Sequence, residues 1–292
     1  WDRGMAVSLP GPGLGGPPIM TLGTPEQRKR FLDPFYDRSC ARWGAFAMTE
    51  PGAGSDVAAI STRCEKRGDK WVLNGEKAFS SNSPRADWVV VYATVDPAQG
   101  RSGQRTFVIE RGTPGMGPFK LEKKMGLVSY ETASFPLIDC ELSADNLLGG
   151  EEAYSGKAGF VSAMRAFDIS RPAIAAMSIG IGRAAYDLAT ESFHEHFMHT
   201  RPIARYDRIK DRLVEVKRKI DAGRLLCWKA AWMADTRQPN TLAASLAKAY
   251  APQVTMEAAS LAVEILGDAG VTHDKLAEKL YRDAKAMDIV EG

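Results

Sequence analysis

The spacing of apolar residues changes near residue 157, and this change limits the folds open to the chain. Before it, short β-branched and aromatic runs such as Asp87–Tyr92 and Arg105–Ile109 are separated by Gly and Pro, which is typical of strands. After it, apolar residues follow the spacing of one buried helix face, at Ile209, Leu213, Val216 and Ile220. Strands and helices do not alternate, so a doubly wound sheet is not expected. The sequence predicts an α+β protein in which a small β-rich region precedes a helical bundle.

Local sequence signals predict turns and a helix start in the β-rich part and in the residues that precede it. Gly11, Gly13 and Gly16 form a literal GxGxxG string, but prolines lie within and beside it, so we predict a loop rather than a nucleotide-binding turn. Thr24 followed by Pro25 and Gln27 predicts a helix start with a capping box. Asn74-Gly75 predicts a hairpin turn between residues 70–73 and 76–80.

Composition excludes several classes of function. The 292 residues carry a net charge of +2 with no basic stripe, so a nucleic-acid partner is not indicated. The four cysteines are far apart, which favours reduced thiols and a cytoplasmic location. No apolar run approaches the ~20 residues of a membrane span. The chain lacks an initiator Met and stops within a pattern, so we expect it to be truncated at both ends.

Four strings carry the strongest functional signal. Taken alone, Met48–Asp56 is a tight loop of small residues whose backbone N–H groups could meet a ligand, or a surface turn between strands. The other strings are Asn74–Asn82, Ala166–Pro172, and Leu280–Lys285 followed by Asp288–Gly292. The four strings resemble motifs of the acyl-CoA dehydrogenase family, in the family's order and spacing, and together they span nearly the whole chain.

The resemblance implies a fold and an assembly. Residues 1–42 would be the remnant of a mostly absent N-terminal helical domain, residues 43–155 the middle β-domain, and residues 156–292 an incomplete antiparallel four-helix bundle. FAD would lie between the β-domain and the bundle. The protein would be an oxidoreductase of fatty acid β-oxidation, a homotetramer or heterotetramer that passes electrons to an electron-transferring flavoprotein. An acyl-CoA oxidase is an alternative that the sequence leaves open.

Site residues are carried over from the matching positions. Thr49 would hydrogen-bond the isoalloxazine edge, and Phe79 takes the place of a Trp that the family commonly has beside the flavin. The implied cofactor-binding residues are Phe46, Met48, Thr49, Gly54, Ser55, Phe79, Ser80 and Ser81. The implied substrate-binding residues are Ser55, Asp168, Arg171 and Gly292. Without the resemblance, Asp168 and Arg171 would form an i,i+3 helical ion pair.

Glu291 is the implied catalytic base. A thioester α-proton is weakly acidic, so its removal needs a carboxylate with little water around it and stabilisation of the developing negative charge. Glu291 would remove this proton from an acyl-CoA, and the flavin would accept the β-hydride to give the trans-2-enoyl-CoA. Without the resemblance, Glu291 would be a solvated residue at the chain end.

Besides Phe79, four positions depart from the family. His196 replaces an Arg that in the family reaches the FAD pyrophosphate of a neighbouring subunit, and Asp207, Glu264 and Asp268 replace neutral residues. The acidic replacements would repel the FAD phosphates. Two hypotheses remain open: the chain binds FAD through other groups, or it is a subunit of a heteromer that completes a partner's FAD site. The cluster His194-Glu-His-Phe-Met-His199 lacks zincin spacing, so no metal site is predicted.

Overall fold

The structure, a computed structural model, describes residues 2–154, 158–197 and 204–291. Its internal contacts divide the chain into two compact units, one rich in strands and one made of long helices. The β-unit comprises Val7–Lys123 and Ser129–Phe167, and the helical unit comprises Trp1–Ala6, Lys124–Val128 and Asp168–Gly292. The domain boundaries expected at residues 42 and 155 remain predictions.

The β-unit contains a sheet of seven strands within the described residues. The strands are β1 (Gly44–Ala47), β2 (Arg63–Arg67), β3 (Lys70–Ser81), β4 (Trp88–Thr94), β5 (Gln104–Glu110), β6 (Lys120–Leu121) and β7 (Thr132–Ser143). Their order in the sheet is β1-β4-β2-β3-β7-β6, with β5 paired to β4. Strands β1 and β4 run parallel, whereas β3 pairs antiparallel with both β2 and β7.

Strand β4 pairs with β1, β2 and β5 and is buried along its whole length. Its alternating side chains enter two apolar clusters, because successive residues of a strand point to opposite faces. Val89 and Val91 pack with Phe107 and Leu137 on one face. The other face holds Trp88, Val90 and Tyr92. This two-sided burial explains the unbroken apolar run, and the two strands predicted around residues 87–92 and 105–109 are confirmed.

The hairpin predicted at Asn74-Gly75 is wrong. Strand β3 continues through this point, and the turn that joins β2 to β3 lies at residues 68–69. Gly75 instead marks a register shift in the pairing with β7. A Cβ at Gly75 would come within 2.5 Å of the Thr62 hydroxyl, so the glycine permits a close backbone approach rather than a tight turn.

The loop predicted over the GxGxxG string is also wrong. A 3-10 turn over Gly13–Gly15 leads into helix α2, Gly16–Leu22. Prolines are tolerated in the first turn of a helix because the N–H groups there have no intrahelical partner. Helix α3 (Pro25–Leu32) begins at the predicted capping box, with both the Thr24 and Gln27 hydrogen bonds formed. Ile19 and Phe31 from these helices enter the same cluster as Trp88.

Long helices build the second unit, and together with the strand-rich unit they confirm the predicted α+β class. The helices of the described residues are α1 (Arg3–Ser8), α2 and α3, then α4 (Ala158–Phe197), α5 (Ala204–Asp235), α6 (Thr241–Leu266), α7 (Asp268–Val271) and α8 (Ala277–Ile289). The apolar face predicted on α5 is buried, at Ile209, Leu213, Val216 and Ile220.

Small residues let these helices approach closely. The buried face of α6 consists largely of alanines, including Ala247, Ala251 and Ala258. A Cβ at Gly223 on α5 would lie 2.5 Å from the Ile179 side chain of α4. The packing therefore depends on small side chains at the helix contacts. In the described part of the chain, no helix combines the length and apolar character that a membrane span requires.

Candidate functional site

The loop that follows β1 presents the first group of predicted site residues. Met48 is buried, Thr49 is partly buried, and Gly54 and Ser55 are exposed. Glu50 and Ala53 exchange backbone hydrogen bonds of 3.0 and 3.1 Å, which closes a tight turn between them. The turn places the small residues that follow it at the surface, where their backbone and hydroxyl groups are accessible.

Beneath this loop lies a buried ion pair that the sequence did not single out. Lys77 Nζ is 2.7 Å from Glu50 Oε1, and their side chains are 0% and 3% exposed. Lys77 also donates to the Met48 carbonyl at 3.2 Å. Glu50 accepts hydrogen bonds from the Ser61 backbone N–H (2.6 Å), the Ser61 hydroxyl (2.8 Å) and the Thr62 N–H (3.0 Å).

Burial and hydrogen bonding have opposite effects on the two charges. Burial alone would raise the pKa of Glu50, but the Lys77 ammonium and the donors at residues 61 and 62 lower it to about 2. Burial lowers the pKa of Lys77 to about 8, although the Glu50 carboxylate opposes this change. The carboxylate is therefore ionised throughout the neutral range.

Phe79 has an unusual backbone and an exposed ring. Its φ is 54°, a left-handed conformation that is rare for a bulky residue, and its side chain is 62% exposed. The pairing of β3 with β7 shifts register between Lys77 and Ser80, so Phe79 lies in a bulge. Strained residues concentrate at functional sites, and a bulge re-aims a side chain. This geometry leaves the Phe79 ring exposed at the surface.

The neighbours of Phe79 fix it to the loop. Ser80 is buried and donates to the Phe46 carbonyl at 2.9 Å, and the Ala78 N–H donates to the Thr49 carbonyl at 2.8 Å. Ser81 is partly buried at the end of β3. The predicted cofactor residues of the β-unit thus lie on two adjacent, hydrogen-bonded segments.

Phe46 belongs to the aromatic packing behind these segments. Its ring is 5.4 Å from that of Tyr92 and 5.9 Å from that of Phe167, both in tilted or edge-on geometry. The Phe46 side chain is only partly buried. Its described contacts therefore support the sheet, while its carbonyl holds Ser80.

In the helical unit, Asp168 and Arg171 both reach helix α6. The Asp168 carboxylate accepts a hydrogen bond from the Thr241 hydroxyl at 2.7 Å, and the Asp168 carbonyl accepts from Asn240 at 2.9 Å. Arg171 Nη1 donates to the Ser245 hydroxyl at 3.4 Å. These contacts brace α4 against the start of α6, and the substrate-binding roles of the two residues remain predictions.

Glu291 follows the end of α8 and is held by α4. Its φ of 62° is left-handed, and its side chain is partly buried. The Ser170 hydroxyl donates to Glu291 Oε2 at 3.1 Å. Lys248, a buried residue of α6, donates to the carbonyl of Asp288 at 3.5 Å. The carboxylate thus lies on a constrained backbone beside a hydroxyl donor, and its role as a base remains a prediction.

The motif before Glu291 anchors its helix. Asp283 is buried and accepts from the Leu127 backbone N–H at 2.5 Å, while Arg282 donates to the Met125 carbonyl at 2.6 Å. Lys279 lies 2.5 Å from Asp283. The segment Lys124–Val128 is therefore bound to α8, and this contact fixes the helix that leads to Glu291.

The positions that depart from the family have mixed surroundings. Arg212 Nη1 donates to both carboxylate oxygens of Glu264, at 2.8 and 2.7 Å, so the charge of Glu264 is balanced locally. Asp207 is exposed, and Asp268 accepts from the Ala269 N–H. The His196 side chain, His199 and the predicted substrate residue Gly292 lie outside what the structure describes.

Glu50, Lys77 and Ser170 lie within the sequence motifs, but the sequence alone indicates no role for them. Glu50 and Lys77 are 27 positions apart, and nothing in local spacing couples them. A lysine within a strand reads as exposed unless its partner is known. Likewise, the Ser170–Glu291 contact joins residues 121 positions apart, so only the fold reveals it.

Comparison with known protein families gives two matches. The family profile described as acyl-CoA dehydrogenase, middle domain, matches residues 45–140. The profile described as acyl-CoA dehydrogenase, C-terminal domain, matches residues 157–292. The two profiles cover the β-rich and the helical parts in the predicted order.

Individual relatives agree with these matches. The mitochondrial short-chain specific acyl-CoA dehydrogenase of Rattus norvegicus is 34% identical over 275 residues, which cover 94% of this chain and 65% of that protein. The acryloyl-CoA reductase (NADH) of Anaerotignum propionicum is 37% identical, over 94% of this chain and 68% of its own length. The 3-(aryl)acrylate reductase of Clostridium sporogenes is 33% identical, with coverages of 99% and 74%. The chain thus spans less than two thirds of the length of the rat protein.

Solved structures show the same fold. Butyryl-CoA dehydrogenase from Megasphaera elsdenii has a TM-score of 0.87 and 35% identity, and the match covers 96% of this chain and 71% of that one. A glutaryl-coenzyme A dehydrogenase in complex with glutaryl-CoA has a TM-score of 0.86 and 32% identity, with coverages of 96% and 69%.

Proposed function

Since this chain belongs to the acyl-CoA dehydrogenase family of FAD flavoproteins, we propose that it catalyses FAD-dependent α,β-dehydrogenation of an acyl-CoA thioester to the trans-2-enoyl-CoA. The observation that carries this proposal is the structural setting of Glu291. The residue is a partly buried carboxylate on a left-handed backbone, and a hydroxyl group from another helix holds it. A solvated surface residue would need neither constraint.

The residues of the β-unit fit the cofactor. Phe79 offers an exposed aromatic face on a strained backbone, which suits packing against a flat ring system. Thr49 and Ser81 offer hydroxyl groups on the two adjoining segments, and Ser55 offers a further hydroxyl in the exposed loop. Such groups match the ring and the anionic phosphates of FAD. The pair of Glu264 with Arg212 removes part of the repulsion expected from the acidic replacements.

The chain's own residues perform the proton chemistry. The Glu291 carboxylate takes the α-proton, and the Ser170 hydroxyl holds one of its oxygens in place. Bound FAD supplies the two-electron acceptor for the β-hydride. Phe79 limits water beside the ring, while Asp168 and Arg171 organise the part of the bundle that would bind acyl-CoA. An electron-transferring flavoprotein is the proposed acceptor.

The Glu291→Gln variant tests the proposal. We expect the variant to bind FAD like the wild type but to lose bleaching of the flavin spectrum by acyl-CoA under anaerobic conditions, with a rate lower by about 100-fold or more. Glu191→Gln, at an exposed position on α4, is the matched control and should bleach normally. Unchanged bleaching in Glu291→Gln would remove the base assignment.

A reductase that works in the opposite direction is the second candidate. Two relatives at 33% and 37% identity are named as reductases of acrylate-type compounds. The same residues would then return a proton to the α-carbon, because the chemistry is reversible. Mixing the protein with enoyl-CoA and a reduced electron donor, and with acyl-CoA and an oxidised acceptor, separates the two directions by their relative rates.

Assembly with other subunits is supported by an apolar stripe on the bundle. Leu225, Trp228 and Trp232 of α5 are each more than half exposed and share one helix face. Leu242 on α6 is 73% exposed. Exposed apolar groups of this size mark interaction surfaces. We propose a homotetramer or heterotetramer, and charged replacements at both tryptophans should lower the mass measured by light scattering.

A cytoplasmic location remains our proposal. Cys64, Cys140 and Cys227 are buried as free thiols, while Cys40 is free and exposed. Burial raises the pKa of the Cys64 thiol to about 12, so it stays protonated and unreactive. Free thiols fit a reducing compartment. Thiol titration of protein purified without reductant should give the same count before and after reduction.

A further inference from the structure

We propose that the buried Glu50–Lys77 pair is a positioning pair that sets the shape of two flavin-contact segments, Met48–Ser55 and Phe79–Ser81. The pair would not touch the cofactor itself. This inference rests on the proposed function, because that function is what gives the two segments their role.

Glu50 closes the loop at both ends. The residue lies at the start of the loop, and its carboxylate accepts three hydrogen bonds from Ser61 and Thr62, at the loop's far end. The Glu50 backbone also exchanges two hydrogen bonds with Ala53. A single carboxylate therefore determines where the loop begins and ends, and Gly54 and Ser55 are carried on the closed loop.

Lys77 connects this loop to the strand that bears Phe79. Its ammonium group donates both to Glu50 and to the Met48 carbonyl. The next residue, Ala78, donates its N–H to the Thr49 carbonyl. Phe79 follows directly in its left-handed conformation. With Lys77 fixed inward, the bulge that begins after it turns Phe79 outward.

An ion pair suits this task better than apolar packing. Buried ion pairs contribute little net stability compared with apolar residues of similar size, so stability alone does not explain the pair. Charge-assisted hydrogen bonds are short and directional, and this pair orients backbone groups in two separate segments, at Met48 and at residues 61–62. Apolar side chains would fill the same volume but would not specify these orientations.

The test compares apolar double variants at a buried and an exposed pair. Lys77→Met with Glu50→Leu removes the positioning pair. Lys70→Met with Glu141→Leu removes an exposed cross-strand pair on the same strand β3, where the two charges are 2.8 Å apart. The measurements are amide hydrogen exchange of the chain without added FAD, the thermal unfolding midpoint, and the Kd for FAD.

The buried double variant should keep its unfolding midpoint and its slow exchange in β4. Its Ser61 and Thr62 amides should exchange at least tenfold faster, and its Kd for FAD should rise at least tenfold. The exposed double variant should match the wild type in amide exchange, in the unfolding midpoint and in the Kd for FAD. Equally faster amide exchange in β4 and in the loop would indicate a general structural role and would overturn the proposal. Unchanged exchange in the loop would also overturn it.

Glu50→Gln provides a second variant if the double variant does not fold. It keeps the side-chain shape but loses the charge, so the same local loss of protection at residues 61 and 62 is expected. Unchanged protection would overturn the positioning role. If the wild type binds no FAD, the proposed function fails, while the exchange pattern still decides whether the pair shapes the loop.

Discussion

The two units secure their candidate site residues by different physical means. In the β-unit, Thr49 and Phe79 depend on directional polar contacts, above all the buried Glu50–Lys77 pair. In the helical unit, Glu291 follows a helix that is placed by close packing against the alanine-rich α6 and by polar contacts of Arg282 and Asp283, and the Ser170 hydroxyl holds its carboxylate. The comparison teaches that a loop needs buried polar groups to define its shape, whereas long helices are placed mainly by packing and use polar contacts where they meet a loop segment.

The largest loss of stability is expected when only one partner of the Glu50–Lys77 pair is removed. Lys77→Met leaves the Glu50 carboxylate buried without its counter-charge, which should lower the free energy of unfolding by about 3–5 kcal/mol. Denaturant unfolding measures this change. A loss below about 1 kcal/mol would mean that the β-unit does not depend on the pair.

The corresponding change in the helical unit removes apolar volume. Ile220→Ala, on the buried face of α5, should lower the free energy of unfolding by about 2–5 kcal/mol because it leaves a cavity. Exposed Val214 on the same helix is the matched control, and Val214→Ala should change stability by less than about 0.5 kcal/mol. Similar losses at both positions would contradict the packing argument.

The pH dependence of stability separates the two units further. The pKa of Glu50 is about 2 in the folded chain and 4.5 without its contacts, so its stabilisation is present above pH 4.5 and is lost as the pH falls towards 2. The difference in unfolding free energy between wild type and Glu50→Gln should shrink through this window. A constant difference would show that the carboxylate is not preferentially ionised in the fold.

A smaller effect is expected from the hydroxyl that holds Glu291. Ser170→Ala removes one hydrogen bond of roughly 0.5–1.5 kcal/mol, so the bleaching rate should fall by about tenfold at most, with FAD affinity unchanged. Ser170→Thr keeps the hydroxyl group and should recover most of the rate. An equal loss in both variants would point to a steric cause instead.

The smallest effect is expected at the surface of the bundle. Lys219 and Glu257 form an exposed ion pair of 2.8 Å between α5 and α6. Lys219→Ala should lower the free energy of unfolding by less than about 1 kcal/mol, because water and salt screen such pairs. A loss as large as that of Lys77→Met would remove the distinction between buried and exposed charges.

The sequence predicted the order of strands and helices better than their local turns. The capping box at Thr24 and the buried face of α5 follow from local spacing, and the structure confirms both. Asn74-Gly75 was assigned to a turn because that dipeptide favours one, but the close approach to Thr62 requires the glycine within a continuous strand. Local sequence preferences take no account of a spatial neighbour that is distant in the sequence.

The same limit applies to the candidate site. The family motifs predicted roles for Thr49, Phe79 and Glu291, although they said nothing of the strain at Phe79. In the sequence, Glu50 and Lys77 are charged residues of two separate motifs, and nothing in either motif indicates that they pair. Their pairing depends on how β3 packs beneath the loop, and that arrangement is a property of the folded chain.

Exchange of the substrate α-proton with solvent tests the account's central claim most directly. The wild type, Glu291→Gln and Glu191→Gln are each incubated with FAD and a saturated acyl-CoA in deuterated water without an electron acceptor, and deuterium at the α-carbon is followed by NMR. The account predicts incorporation by the wild type and Glu191→Gln, and a rate at least about 100-fold lower for Glu291→Gln. Equal incorporation by all three proteins would show that another group removes the proton and would contradict the account.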